Sequence, residues 1–265
     1  MELNAEKIKK LLKDNYKDSD LFIHKLIDST NMEAKKLCKS NLSKETIIIA
    51  NEQTLGKGRL CRRFFSPKDT GIYMSIILKT NTSISNAILI TTATSVAVCR
   101  AIKKVCNLNV GIKWVNDIFF NDKKVCGILT EATPNLKSGN IENIIIGIGL
   151  NFNTKHEDFP DELKEISGSL YNIDNPTTTR NELIAQIINE VLDIYKDLNN
   201  DEILLEYKKL SLVIDKPIKF SRNNEWINAK ALDIDSNGGL IVKTIDGKIE
   251  TLNSGEISIR NLNQL

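Results

Sequence analysis

Apolar and polar positions along the chain recur with two periods, near 3.6 residues in some stretches and two in others, and each change of period marks a new element. Residues 5–14 carry Ile8, Leu11 and Leu12 at helical spacing, which predicts a short amphipathic helix lying on a larger body. Strands are expected over 24–27 and 47–53. Between them a helix over 32–38 is announced by Thr30 and Glu33, which have the spacing of a capping box. In 71–78, Ile72, Met74, Ile76 and Leu78 fall on one face of a strand. A helix opening at Ser85 then shows Leu89, Ala93, Val96, Cys99, Ile102 and Cys106 every three or four residues, a stripe that reads as core.

Residues 110–131 return to period two and predict a hairpin. Val110, Ile112 and Trp114 alternate with Gly111 and Lys113, Asn121 and Asp122 supply a turn, and a second strand covers 124–129. In 143–153, Ile144, Ile146, Ile148, Leu150 and Phe152 share one face, and Gly147, Gly149, Asn151 and Asn153 the other. Residues 154–171 are polar and irregular and read as a flexible loop. Thr179 with Glu182 then caps a helix striped by Leu183, Ile187, Val191 and Ile194, and a shorter helix covers 202–210. From Val213 onward, turn signals at Arg222-Asn223-Asn224, Asn237-Gly238-Gly239, Asp246-Gly247 and Ser254-Gly255 split short strands, implying a small antiparallel barrel of about 50 residues.

At 265 residues the chain has room for one large domain and one small one, placed at 1–212 and 213–265. A formal charge of +2 argues against a broad nucleic-acid footprint, so any positive site is local. The five cysteines are odd in number and lack CxxC spacing, which fits free thiols in a reducing compartment. With only two histidines, a metal site built on imidazole is not expected. The first residues mix both charges, unlike a signal peptide, and no run approaches the roughly 20 apolar residues of a membrane span. The expectation is a cytoplasmic protein without membrane association.

Some positions carry more chemistry than packing needs. Lys113, Asn116, Asp117 and Lys124 interrupt the apolar hairpin, where ionised groups are costly unless paired. A bound anion or a solvated sheet edge would each answer that. Residues 55–64, LGKGRLCRRF, combine Gly56 and Gly58 with Lys57, Arg59, Arg62 and Arg63, which describes a mobile loop able to close over an anion, or a plain solvated loop. It is not a Walker A loop, because no Lys-Ser/Thr pair follows the second glycine. Cys61 lies among the arginines, where positive charge favours the reactive thiolate if the side chain is exposed; turned inward, it would simply fill space. The bare face of 143–153 admits either a ligand lying on the backbone or a closely packed helix.

The order K-W-x-N-D, a turn, then K-x-x-G-I-L-x-E over 113–131 closely resembles a signature of biotin protein ligases. E-Q-T-x-G-K-G-R followed by F-x-S-P resembles another, and G-x-G-x-N-x-N over 147–153 matches a third. The departures are Lys57 for Arg, Cys61 for Gly, Phe64 for Trp and Val115 for Pro, the last expected to keep an extended backbone. The resemblance runs from Ser29 to Arg260.

It implies an α+β fold, a mixed-sheet catalytic domain flanked by helices, with a small C-terminal SH3-like barrel. It also implies adenylation of biotin by Mg-ATP, then transfer of biotin to a lysine of a biotin carboxyl carrier domain. By the family's pattern, Lys124, Arg59 and Asp117 act in catalysis. Ser29, Thr30, Asn31, Gln53, Lys57, Gly58, Arg59 and Lys124 hold biotin. Lys113, Asn116, Asn151 and Phe64 face ATP, and Asp117 serves magnesium. The rivals are a lipoate or octanoate ligase, and a biotin-responsive repressor. The repressor needs a winged helix, for which the 28 residues before Ser29 are too few. Specific DNA binding is therefore not expected, and monomer and homodimer both stay open.

Overall fold

Isoleucine-rich strands, buried on both faces, place a seven-stranded sheet at the centre of the molecule. The computed structural model describes residues 2–259, apart from 41, 43, 80–86, 135–140, 174–175, 197–200, 224, 254 and 256, with the side chains at 61, 87, 134 and 259 also left out. The strands are β1 (Asp20–His24), β2 (Thr46–Ala50), β3 (Gly71–Lys79), β4 (Gly111–Lys113), β5 (Asp117–Phe120), β6 (Lys123–Pro134) and β7 (Ile141–Asn151). Their order is β1-β2-β3-β7-β6-β5-β4; β1 runs parallel to β2 and every other pair is antiparallel. β2 is Thr-Ile-Ile-Ile-Ala, and all its residues are buried.

Helices cover both faces of the sheet. Helix α2 (Thr30–Leu37) lies on one face, where Ala34 packs with Ile48, Ile77 and Ile145. The larger core lies on the other face, under α3 (Ala87–Cys106), α5 (Arg180–Tyr195) and α6 (Asp201–Leu210). The α5 stripe is buried as its period predicts, and its capping box is formed: Thr179 Oγ1 accepts from Glu182 N at 3.2 Å, and Glu182 Oε2 from Thr179 N at 2.7 Å. Helix α1 (Ala5–Leu11) is tied to α5 by polar contacts. Asn4 N donates to Asn181, Lys13 N to Asn189, and Tyr16 Oη to Asp193, at 2.8–3.0 Å.

Several local expectations are corrected. The first strand ends at His24 rather than starting there, and beyond it Ile27 makes one isolated parallel bridge to Gln53. Leu11 is exposed while Leu12 is buried, because the backbone becomes extended at Leu12 and turns that side chain inward. Helix α2 has Ser29 as its N-cap and no side-chain capping bond, so the expected Thr30–Glu33 box is absent. Glu33 pairs instead with Lys36 at 3.0 Å, and Thr30 is buried in other hydrogen bonds. Residues 154–171 are not irregular: they hold a 3-10 turn (His156–Asp158), α4 (Asp161–Lys164) and buried Phe159 and Leu170. The expected helix start at Ser85 lies outside the described residues.

The C-terminal strands β8 (Pro217–Arg222), β9 (Glu225–Ile234), β10 (Leu240–Thr244), β11 (Ile249–Leu252) and β12 (Ile257–Ile259) form a second antiparallel sheet, ordered β11-β10-β9-β8-β12. The turn signals at Gly238 and Gly247 join β9 to β10 and β10 to β11. This sheet docks beside the central hairpin: Trp114 Nε1 donates to Gly238 O at 3.0 Å, and Lys208 Nζ pairs with Asp233 at 2.8 Å. Among the described residues, no helix is long and apolar enough to cross a membrane.

The α5 cap gives a stability prediction. Hydrogen bonds from the Thr179 backbone and side chain hold the Glu182 carboxyl below its ordinary value of 4.5. A carboxyl depressed by folding stabilises above its unfolded value, and the contribution is lost as pH falls through the lower folded value. Thr179→Ala should cost about 1 kcal/mol in urea unfolding at pH 7, and the difference from wild type should shrink on acidification.

Candidate functional site

The central hairpin is a three-stranded meander. After β4, residues 114–116 turn tightly, so Val115 lies in a turn and not in the expected extended strand; the Trp114–Val115 peptide bond is cis. Tyr207 Oη, from α6, donates to Val115 O at 3.1 Å and holds the turn from below. Asn116 is buried, and both of its ends are bonded to β6: its Nδ2 donates to Ile128 O at 2.9 Å and its backbone O accepts from Ile128 N at 3.0 Å. Lys124 and Asp117 face each other across β5 and β6 at 2.7 Å, both mostly buried, so they are not solvated edge charges. Lys113 Nζ lies over the Phe119 ring, 5.6 Å from its centroid. Segment 154–171 pins the Lys124 backbone: Lys124 N donates to Ile166 O, and Gly168 N to Lys124 O, each at 2.9 Å.

Loop 55–64 folds back on itself. Gly58 N donates to Arg62 O at 2.8 Å and Phe64 N to Gly56 O at 2.9 Å, with Lys57 and Arg63 bridged. Its tip is a 3-10 turn (Arg59–Cys61), where Leu60 takes φ 54 and stands exposed. From that tip Arg59 spans to the hairpin and the C-terminal sheet, donating to Asn116 Oδ1 at 2.7 Å and to Gly255 O at 3.2 Å. The Cys61 side chain lies outside the described residues.

The start of α2 supplies a third wall. Ser29, Thr30 and Asn31 are buried polar residues, and Thr30 and Asn31 have partners on strands. Thr30 N donates to Gln53 Oε1 at 2.9 Å, and Gln53 Nε2 to Ser66 Oγ, also at 2.9 Å. Ser75 Oγ lies 2.8 Å from Thr30 Oγ1 and 2.6 Å from Asn31 Oδ1, and Asn31 Nδ2 donates to Glu131 Oε2 at 2.9 Å. Two glycines of β7 make the wall possible. A Cβ on Gly147 would come within 2.2 Å of Asn31 Oδ1, and one on Gly149 within 2.7 Å of the Phe64 ring. The bare face of β7 therefore meets a helix start at one glycine and an aromatic ring at the next.

These walls enclose a cleft of about 650 Å³. Every residue given a catalytic or ligand-binding role by the family's pattern borders it: Ser29, Thr30, Asn31 and Gln53 on one side, and Lys57, Gly58, Arg59 and Phe64 from the loop. Lys113, Asn116, Asp117 and Lys124 come from the hairpin, and Asn151 from β7. Asn151 Nδ2 donates to Gly168 O at 2.9 Å, while its buried Oδ1 has no partner among the described residues. Such an atom suits a donor brought by a ligand. Asp117 does not make a metal cage. Among the described residues no group of three His, Cys, Asp or Glu gathers, and the Asp117 carboxylate already faces Lys124. Magnesium is commonly held by one or two carboxylates plus substrate phosphates, and Asp117 offers a single one.

Residues 23–151 match the Biotin/lipoate A/B protein ligase family, and residues 213–260 the Biotin protein ligase C terminal domain. Over 260 residues the chain is 32% identical to the bifunctional ligase/repressor BirA of Bacillus subtilis, covering 97% of this chain and 79% of that relative. The chain belongs to the biotin/lipoate A/B protein ligase family. It is 29% identical to the Escherichia coli bifunctional ligase/repressor BirA over 246 residues, or 89% of this chain and 73% of that one. The biotin protein ligase of Aquifex aeolicus, solved in complex with biotin and ATP, superposes with a TM-score of 0.74 at 27% identity, covering 91% of this chain and 98% of that one.

Against the family's signatures, the Phe64 ring fills the place on the Gly127–Gly149 strand pair, with Tyr73 edge-on at 6.4 Å. Four participants were not singled out from the sequence of this family member. Ser75 joins Thr30 to Asn31, and its signal was a hydroxyl inside the apolar run of β3. Glu131 closes the hairpin signature but had no role beyond the match. Ile166 and Ser167 border the cleft because their backbone pairs with Lys124, a contact that polar loop composition does not announce.

Removing the Ser75 hydroxyl leaves the buried Asn31 Oδ1 short of a donor and breaks the contact with the Thr30 hydroxyl. Ser75→Ala should destabilise the protein by about 1–3 kcal/mol in urea unfolding, with an unchanged m value.

Proposed function

We propose that the chain is a biotin protein ligase, which condenses biotin with ATP to biotinyl-5'-AMP and then transfers biotin to a lysine of a biotin carboxyl carrier domain. The observation that carries this reading is the meeting of three separated segments, 29–31, 53–64 and 113–124, around one cleft with cations on one side and neutral polar groups on the other. The neutral end, built from Ser29, Thr30, Asn31 and Gln53, suits the ureido ring. The cationic end suits a carboxylate meeting a phosphate. Residues 1–212 form the catalytic unit on this reading, and 213–265 the C-terminal one, which reaches the cleft through Gly255 and Ile257.

Adenylation brings a carboxylate against an α-phosphate, so two anions must approach, and charge builds as pyrophosphate leaves. Lys124 bridges the two, with Asp117 holding its ammonium group at the cleft wall beforehand. Arg59 and Lys57 close over the adenylate from the loop, while Lys113, Asn116, Asn151 and Phe64 face the nucleotide. Magnesium would enter as Mg-ATP, and Asp117 would supply a carboxylate to it. The mixed anhydride is already activated, so the incoming lysine needs an open path and no covalent enzyme intermediate.

Biotin, and not lipoate or octanoate, should drive ATP–pyrophosphate exchange. A site built to hydrogen-bond a polar ring rejects an acid without one, because its buried polar groups are left unpaired. Exchange driven as well by octanoate as by biotin would overturn the assignment. Lys124→Ala should lower biotin-dependent exchange by at least about 100-fold with folding intact. Trypsin should cut the empty protein after Lys57, Arg59, Arg62 or Arg63, and biotin with ATP should suppress those cuts; equal cleavage contradicts loop closure.

A further inference from the structure

Glu131 stands behind the cleft wall, connected by hydrogen bonds to groups that face the ligand. Asn31 Nδ2 donates to Glu131 Oε2 at 2.9 Å, the Ser75 hydroxyl reaches Asn31 Oδ1 at 2.6 Å, and Thr30 lies between Ser75 and Gln53. Asn31, Thr30 and Gln53 border the cleft, and neither Glu131 nor Ser75 is among the residues that line it. The Asn31 amide lies flat against Gly147, where a Cβ would strike its oxygen at 2.2 Å.

An asparagine amide can sit either way round, and its two ends have opposite hydrogen-bonding character. An ionised carboxylate only accepts, so turning the Asn31 amide over would set its oxygen against the Glu131 charge. Burial works to raise the Glu131 carboxyl, but hydrogen bonds from Lys35 and Asn31 outweigh it and hold the group below the ordinary carboxylate value. Glu131 is therefore acceptor-only at neutral pH, and the choice it imposes on Asn31 passes to Ser75 and Thr30.

We propose that Glu131 is a positioning residue, which fixes the orientation of the Asn31 amide and, through the Ser75 and Thr30 hydroxyls, the donor and acceptor pattern that meets the ureido ring. This rests on the biotin reading above. The competing account is that Glu131 only fastens α2 to β6 through its ion pair with Lys35, at 2.6 Å. The two accounts differ in what Glu131→Ala does to the two substrates. A merely fastening role loosens the fold and affects both substrates, or neither. A positioning role falls on biotin alone.

The test is steady-state pyrophosphate exchange with wild type, Glu131→Ala, Glu131→Gln and Lys35→Met, each checked for folding by thermal unfolding. Glu131→Ala should raise the KM for biotin about tenfold, the cost of one misdirected hydrogen-bond partner, with kcat and the KM for ATP within about twofold of wild type. Glu131→Gln offers one oxygen where two donors converge and should raise the biotin KM about threefold, which keeps the test available if the alanine variant does not fold. Lys35→Met removes the ion pair but keeps the carboxylate, so its biotin KM should stay within about twofold. A biotin KM unchanged in the folded glutamate variants, or raised in parallel with that for ATP, overturns the inference while the functional reading stands. Wild type that gives no exchange with biotin overturns the functional reading and this inference with it.

Discussion

The site depends on a patch of bare backbone in the middle of a buried sheet. Gly127 and Gly149 pair across β6 and β7, and Gly147 follows two residues earlier on the same face. Without side chains there, the Phe64 ring and the Asn31 amide can rest directly on the strands. The opposite face of β7, with Ile144, Ile146 and Ile148 buried, fixes the register, since a slip of one residue would exchange the apolar face for the glycines. The core thus determines where the bare patch falls, and the patch determines where a ligand can lie.

Charge is handled by pairing across elements that lie far apart in sequence. Arg59, at the tip of a loop, is held by Asn116 of the hairpin and the Gly255 carbonyl of the C-terminal sheet. Lys124 faces Asp117. Lys124, kept this way on the sheet, has its position set in advance, so little reorganisation of it is needed to meet an anion. The same contacts join the two sheets: Trp114 in the hairpin turn bonds to Gly238, and Arg59 to Gly255. The C-terminal segment thus contributes a carbonyl to the loop's anchor and borders the cleft.

Much of this was legible in the sequence because burial leaves a regular trace. The period-two faces of 71–78 and 143–153, the α5 stripe with its cap, and the turn signals at Gly238 and Gly247 correspond to observed elements, while Asn224 and Ser254 of the other two turn signals lie outside the described residues. Resemblance to the family's motifs named thirteen of the residues that border the cleft. What was not legible is long-range pairing. Thr30 and Glu33 have the spacing of a capping box, but buried Thr30 spends its hydroxyl on Gln53 and Ser75, residues that the local sequence does not place beside it. Residues 154–171 look like loop because their order comes from Phe159, Leu170 and backbone bonds to Lys124, none of which shows a period. Val115 fits a strand by propensity, yet Asn116 and Tyr207 hold its segment as a turn.

The central claim is that one cleft serves both activation of biotin and delivery to a protein lysine. Incubation of the purified protein with biotin, ATP, magnesium and a purified biotin carboxyl carrier domain, followed by intact-mass measurement of the carrier, tests it directly. The account predicts a single added biotin on the carrier, dependent on ATP and absent when the acceptor lysine is replaced by arginine. A carrier that gains no mass, while the folded protein still binds biotin, would contradict it.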